Sequence, residues 1–113
     1  MIIYHNPRCS KSRQTLKLIE EAGVNPEIID YLNTPPTEKE LDGILKKLGF
    51  EPVELMRKNE SNYKELGLDQ KKLSRKEMIK VMIENPKLIE RPIVVNGNKA
   101  ILGRPPENVK ELL

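Results

Sequence analysis

The chain has 113 residues, 33% of them charged and 37% hydrophobic, with a net charge of +3 at pH 7. That length suits one domain with a core of its own and no need of staples. One Cys excludes a disulfide framework and a multi-Cys metal site, no apolar run approaches a membrane span, and the N-terminus lacks the basic-then-apolar pattern of a signal peptide. A cytoplasmic monomer is expected, with no membrane or nucleic-acid partner. Aromatic residues are 4% of the chain and Trp is absent, so few rings are available for base stacking.

Met1 to Tyr4 is a short apolar run closed by Asn6-Pro7, the pattern of a buried strand and a turn. Ser10 to Ala22 carries no Gly or Pro. Leu16, Ile19 and Ala22 share one helical face, and Gly23 is the stop. Glu27 to Leu32, β-branched at Ile28 and Ile29, reads as a second strand. Strand, helix and strand within about thirty residues predict a βαβ unit with a parallel pair.

Thr37 with Glu40 spells a capping box before Leu41, Ile44, Leu45 and Leu48, and Gly49 ends that helix. Shorter helical pieces are expected at Val53 to Arg57 and Asn62 to Leu66. Ser74 with Glu77 spells a second capping box before Met78, Ile79, Met82 and Ile83, and Asn85-Pro86 ends it. Ile93-Val94-Val95 is a strand, Asn96-Gly97 marks a tight turn, and Lys99 to Leu102 returns as the partner strand. Pro105 to Leu113 reads as a terminal helix with Pro near its start. The predicted fold class is α/β. Its order is a βαβ unit, a helical insertion near residues 35–90, a β-hairpin and a terminal helix, in a single domain spanning 1–113.

The chemistry concentrates around Cys9. Between His5 and Lys17 stand Arg8, Lys11, Arg13 and Lys17, with no acidic residue. A lone Cys is more often a small buried hydrophobe than a working group. Cys9 departs from that because it falls at the start of a predicted helix inside a positive field. Free N–H groups, the helix dipole and nearby cations all favour a thiolate. Ser10 and Ser12 are candidates to donate hydrogen bonds to the sulfur, and His5 to supply charge or to order the loop. Cys9 to Ser12 has Cys-x-x-Ser spacing, so an external thiol must complete any redox cycle. Three residues separate Cys9 from Arg13, where a phosphatase-type loop has five, which disfavours that fold. No metal site is expected, since one Cys and one His have no clustered carboxylates beside them.

Arg57, Arg91 and Arg104 each adjoin a backbone constraint, and guanidinium groups suit tetrahedral oxyanions. Composition alone does not separate these three from solvated surface charge. Arg91-Pro92-Ile93 is a candidate site for a cis-proline. Met56, Met78 and Met82 read as core, and Tyr31 and Tyr63 as packing residues.

The segment His5-Asn6-Pro7-Arg8-Cys9-Ser10-Lys11-Ser12-Arg13 resembles the active-site loop of the ArsC family, the glutaredoxin-linked arsenate reductases. Pro35-Pro36, Arg57-Lys58-Asn59-Glu60, Tyr63-Lys64-Glu65-Leu66-Gly67-Leu68, Arg91-Pro92-Ile93-Val94-Val95 and Gly103-Arg104-Pro105 match the same family in the same order. The resemblance implies a thioredoxin-like fold with a helical insertion. It implies reduction of arsenate to arsenite, with glutathione as reductant, glutaredoxin as partner and no bound cofactor. Cys9 matches the family nucleophile, His5 its loop histidine, and Arg57, Arg91 and Arg104 its oxyanion-handling arginines. With Ser12 these six form the expected site. Two other activities occur on the same frame: a glutathione-dependent thiol-disulfide oxidoreductase with another substrate, and an Spx-like regulator that binds RNA polymerase. Spx-type chains usually carry Cys-x-x-Cys, so Ser12 argues against the regulator.

Overall fold

The computed structural model describes residues 1–113. Strand β1 (Ile2–His5) leads into α1 (Ser10–Glu21) and then β2 (Glu27–Asp30). β1 and β2 pair in parallel, with Ile3 opposite Ile28 and His5 opposite Asp30, as a βαβ crossover requires. β3 (Ile93–Asn96) and β4 (Lys99–Leu102) form the antiparallel hairpin, and β3 lies antiparallel to β1. The sheet order is β2-β1-β3-β4. This α/β arrangement, with a βαβ half and a hairpin half sharing one mixed sheet, is the thioredoxin-like fold.

Two compact units divide the chain. One joins Met1–Thr34 with Arg91–Leu113, and the other is Pro35–Glu90. The first is built on Ile3 and Val94, which face each other across β1 and β3 and pack with Ile19 of α1 and with Val109 and Leu112 of the C-terminal segment. Burying each such aliphatic side chain contributes about 1.5–3 kcal/mol. Within the second unit, α2 (Glu38–Leu48) and α4 (Arg75–Glu84) supply Leu41, Ile44, Leu45, Ile79 and Met82 to the core. Both helices open on reciprocal capping boxes. The Thr37 hydroxyl accepts the Glu40 N–H at 3.1 Å, and the Ser74 hydroxyl accepts the Glu77 N–H at 3.2 Å. Gly49 ends α2 with φ +72, a conformation that costs glycine least. Between them lie a 3-10 turn over Pro52–Leu55 and the short α3 (Ser61–Glu65). No helix is long and apolar enough to cross a membrane.

Three sequence expectations need correction. The buried face of α1 is Ser12, Thr15 and Ile19, while Ala22 is exposed and Leu16 half-buried. Polar residues take core positions there because their hydroxyls find partners inside. The expected terminal helix is present, and Pro106–Leu112 is 3-10 throughout. Its tighter pitch still buries Pro106, Val109 and Leu112, which recur every third residue and so share one face. β2 stops at Asp30, where the Asp30 carboxylate accepts the Leu32 N–H and turns the chain. The tight turn falls one residue later than Asn96-Gly97, while β4 keeps the expected Lys99–Leu102. Asn96 pairs with Lys99, so Gly97 and Asn98 are the central pair, and Gly97 alone has positive φ, at +62. That is the pattern of a II′ turn rather than the Asn-Gly type.

Candidate active site

Cys9 is the N-cap of α1, with extended backbone (φ −94, ψ 122). Asn6 sets the loop that delivers it. The Asn6 carbonyl accepts the Cys9 N–H at 3.0 Å, and its side-chain oxygen accepts the Arg8 N–H at 3.0 Å. The first is the i→i+3 bond of a β-turn, and the second forms because an Asn side chain reaches the backbone two residues ahead. Asn6-Pro7 was legible as a turn, but the anchoring by Asn6 was not foreseen.

The surroundings of the Cys9 sulfur favour its anion. Burial pushes the thiol pKa up, but the backbone N–H of Ser12, the Arg91 side chain and the N–H of Lys11 outweigh it, and the Arg91 charge adds to them. The net result is a pKa below the ordinary thiol value. That is the physics expected where donors at a helix mouth meet a guanidinium.

His5 and Ser12 form a second, buried layer. His5 Nδ1 and the Ser12 hydroxyl are hydrogen-bonded at 2.6 Å, and the same hydroxyl accepts the Asn6 N–H at 3.0 Å. Ser12 therefore meets the sulfur with its backbone and the loop with its side chain. Burial lowers the His5 pKa from its ordinary value. Asp30 opposes this, Arg13 reinforces it and Glu20 opposes it. A neutral imidazole orders the loop and brings no positive charge to the thiolate. Ser10, the other hydroxyl considered as a donor, is exposed.

Arg91 faces the sulfur. Its peptide bond to Pro92 is cis, as is that between Arg104 and Pro105. Arg104 is exposed and donates through a guanidinium nitrogen to the Arg91 carbonyl at 3.4 Å. Arg57 belongs to the Pro35–Glu90 unit. Its guanidinium pairs with Glu60 at 3.2 Å and with Glu90. Burial lowers its pKa, the two carboxylates raise it, and the raising wins. Its backbone N–H donates to Leu88 at 2.7 Å, beside the bridge between Met56 and Ile89. The structure thus gathers Cys9, His5, Ser12 and Arg91, attaches Arg104 to the Arg91 backbone, and holds Arg57 between two acids of its own unit. Nowhere do three or more His, Cys, Asp or Glu side chains converge as metal ligands would.

Arg8, Lys11 and Arg13 lie within four residues of Cys9 along the chain, and none has an acidic partner. Arg8 and Arg13 are exposed, and the Arg13 guanidinium donates to the Pro7 carbonyl at 2.9 Å.

Comparison with known proteins agrees with this frame. Residues 4–112 match the ArsC family model. The chain is 54% identical to YfgD of Escherichia coli K12, a protein described as uncharacterized, over 98% of this chain and 94% of that one. It is 52% identical to an arsenate reductase of Haemophilus influenzae over 100% and 98% of the two chains. The solved arsenate reductase from Vibrio cholerae superimposes with a TM-score of 0.95 at 50% identity, covering 99% of this chain and 96% of that one. Near-complete coverage in sequence and in structure leaves one assignment, and the chain belongs to the ArsC family.

Proposed function

We propose that the chain is an arsenate reductase in which Cys9 is the nucleophile, His5 and Ser12 order its loop, and Arg57, Arg91 and Arg104 handle the oxyanion. One observation carries the reading. The Cys9 sulfur is held toward its anionic form by the N–H groups of Ser12 and Lys11 and by Arg91. Relatives named arsenate reductase, at about half identity over their full length, supply the substrate.

The thiolate is the form that attacks. Arsenate is itself an anion, so its approach to a thiolate needs positive charge on its oxygens. Guanidinium groups supply that charge with bidentate geometry. The sulfur displaces one arsenate oxygen, which leaves as water after taking up protons. A glutathione thiolate then attacks the adduct. The two sulfurs finish as a disulfide between Cys9 and glutathione. The two electrons they lose take arsenic from the pentavalent to the trivalent state, and arsenite departs. A glutaredoxin thiol exchanges with that disulfide and returns Cys9 as a thiol. The single Cys supports an external thiol, because the chain has no second sulfur to resolve the disulfide. No bound metal or nucleotide takes part. The reading implies a cytoplasmic setting, where glutathione stays reduced. It also treats residues 1–113 as one functional domain, with 35–90 as its helical insertion.

A second reading, a glutathione-dependent thiol-disulfide oxidoreductase, is favoured by one feature. The charge of Arg57 is already shared with Glu60 and Glu90. Arsenate-dependent oxidation of glutathione, with glutaredoxin present, separates the two readings when the purified chain is compared with Cys9→Ser. Turnover that requires both arsenate and Cys9 supports the reductase. A reactive Cys9 without arsenate turnover overturns it in favour of the oxidoreductase.

A further inference from the structure

Gly103 is buried between β4 and Arg104. A Cβ there would lie 2.5 Å from Thr15 Oγ1, 2.7 Å from Pro92 Cγ and 3.1 Å from Thr15 Cγ2. Thr15 is fully buried and the Pro92 ring is covalently fixed, so neither neighbour swings aside at little cost. Hydrogen bonds close the same junction. The Gly103 N–H donates to the Pro92 carbonyl at 2.9 Å. The Thr15 hydroxyl donates to the Lys11 carbonyl at 2.8 Å and lies 3.5 Å from that of Gly103. The junction therefore joins the opening turns of α1, which carry Cys9, to the Arg91-Pro92 pair, whose arginine faces the sulfur.

We propose that Gly103 and Thr15 are positioning residues for Cys9. The close contact at Gly103 sets how deeply Pro92 seats on α1 and so holds the Arg91 side chain at the sulfur. The inference rests on Cys9 being the reactive group, as proposed above, and not on the identity of its substrate. Both residues act through Arg91. The other cations close to Cys9 along the chain, Arg8, Lys11 and Arg13, ride on the loop and first turn of α1, so they do not move with the Pro92 seat.

The test is the pH profile of Cys9 alkylation by iodoacetamide on the purified chain. Gly103→Ala should slow alkylation near pH 6 by about threefold or more, equal to half a pKa unit, and leave the rate near pH 10 at the parent value. Thr15→Ala opens the junction instead of overfilling it, and should move the profile in the same direction by less. Thr15→Ser keeps the hydroxyl and should restore the parent profile. Val109→Ala is the structural control. It truncates an equally buried residue of the same core and should lower Tm without moving the profile. A folded Gly103→Ala whose profile superimposes on the parent overturns the proposal, and so does a Val109→Ala that moves the profile as far. If Gly103→Ala does not fold, Thr15→Ala decides, and an unmoved profile overturns the proposal. Arsenate is absent from the assay, so failure of the arsenate reading leaves this test intact.

Discussion

The Ser12 hydroxyl lies 2.6 Å from His5 Nδ1 and accepts the Asn6 N–H at 3.0 Å, all inside the protein. One side chain thereby ties the end of β1 and the Cys9 loop to α1. Ser12→Ala strands two buried polar groups, the imidazole nitrogen and the Asn6 N–H, at about 1–3 kcal/mol for each. Thermal or urea unfolding reads that loss. The N–H of residue 12, which serves the sulfur, survives the substitution. The Cys9 pKa should then move by less than about half a unit. A rise of a full unit would mean that the hydroxyl, not the backbone, sustains the thiolate.

His5 makes stability depend on pH in a defined window. Burial lowers its folded pKa below the unfolded value of about 6.5. The unfolded chain therefore binds the proton first as pH falls. The contribution is fully present above about 6.5 and is lost as pH drops through the folded pKa. Urea midpoints measured from pH 7 down to pH 5 should decline in the parent, and His5→Gln should flatten that decline. An equal slope in both would assign the titration to another group.

What the sequence disclosed and what it hid divide by range. The capping boxes at Thr37/Glu40 and Ser74/Glu77 are local, three residues wide, and formed as read. The start of α1 was equally local, and it alone put Cys9 among free N–H donors. The family motifs then pointed to the arginines, which no local rule selects. The hidden features depend on residues far apart in the chain. Nothing in the local pattern marks Thr15 as core, yet it is buried, with Gly103 and Pro92 close over it. The two acids on Arg57 come from three and 33 residues away, and no spacing rule anticipates the second. The terminal helix is legible but its 3-10 pitch is not, because α and 3-10 helices share most of their start signals and differ only in the i→i+3 bond pattern.

The acids on Arg57 make a prediction of their own. For Arg57 to bind an oxyanion, the substrate must share its guanidinium with Glu60 and Glu90. Glu90→Gln removes one competing charge and keeps the side-chain shape. If Arg57 handles arsenate, the KM for arsenate should fall by about threefold to tenfold, with kcat little changed. Arg57→Gln should raise KM in both backgrounds. A KM that ignores Glu90→Gln would remove Arg57 from the substrate, and a KM that rises would show that Glu90 orients Arg57 rather than competing for it.

Arg8, Lys11 and Arg13 form no salt bridge, although the chain has 17 acids to offer. Cations close along the chain with no acidic partner cost self-repulsion in the free protein, and an incoming anion relieves it. Glutathione carries two carboxylates and one ammonium, whereas 2-mercaptoethanol carries no charge. The field should therefore raise the encounter rate of the first thiol and not of the second. A mixed disulfide made on Cys9 with an aromatic thiol lets either attack be followed by release of the coloured leaving group. Arg8→Glu, exposed and outside the Cys9 hydrogen-bond network through its side chain, should slow glutathione by about threefold to tenfold at low salt. It should leave 2-mercaptoethanol within about twofold, and added salt should narrow the gap between parent and variant for glutathione. Equal slowing of both thiols would mean that Arg8 acts on the sulfur itself, by altering its leaving or attacking strength, and not on the charge of the reductant.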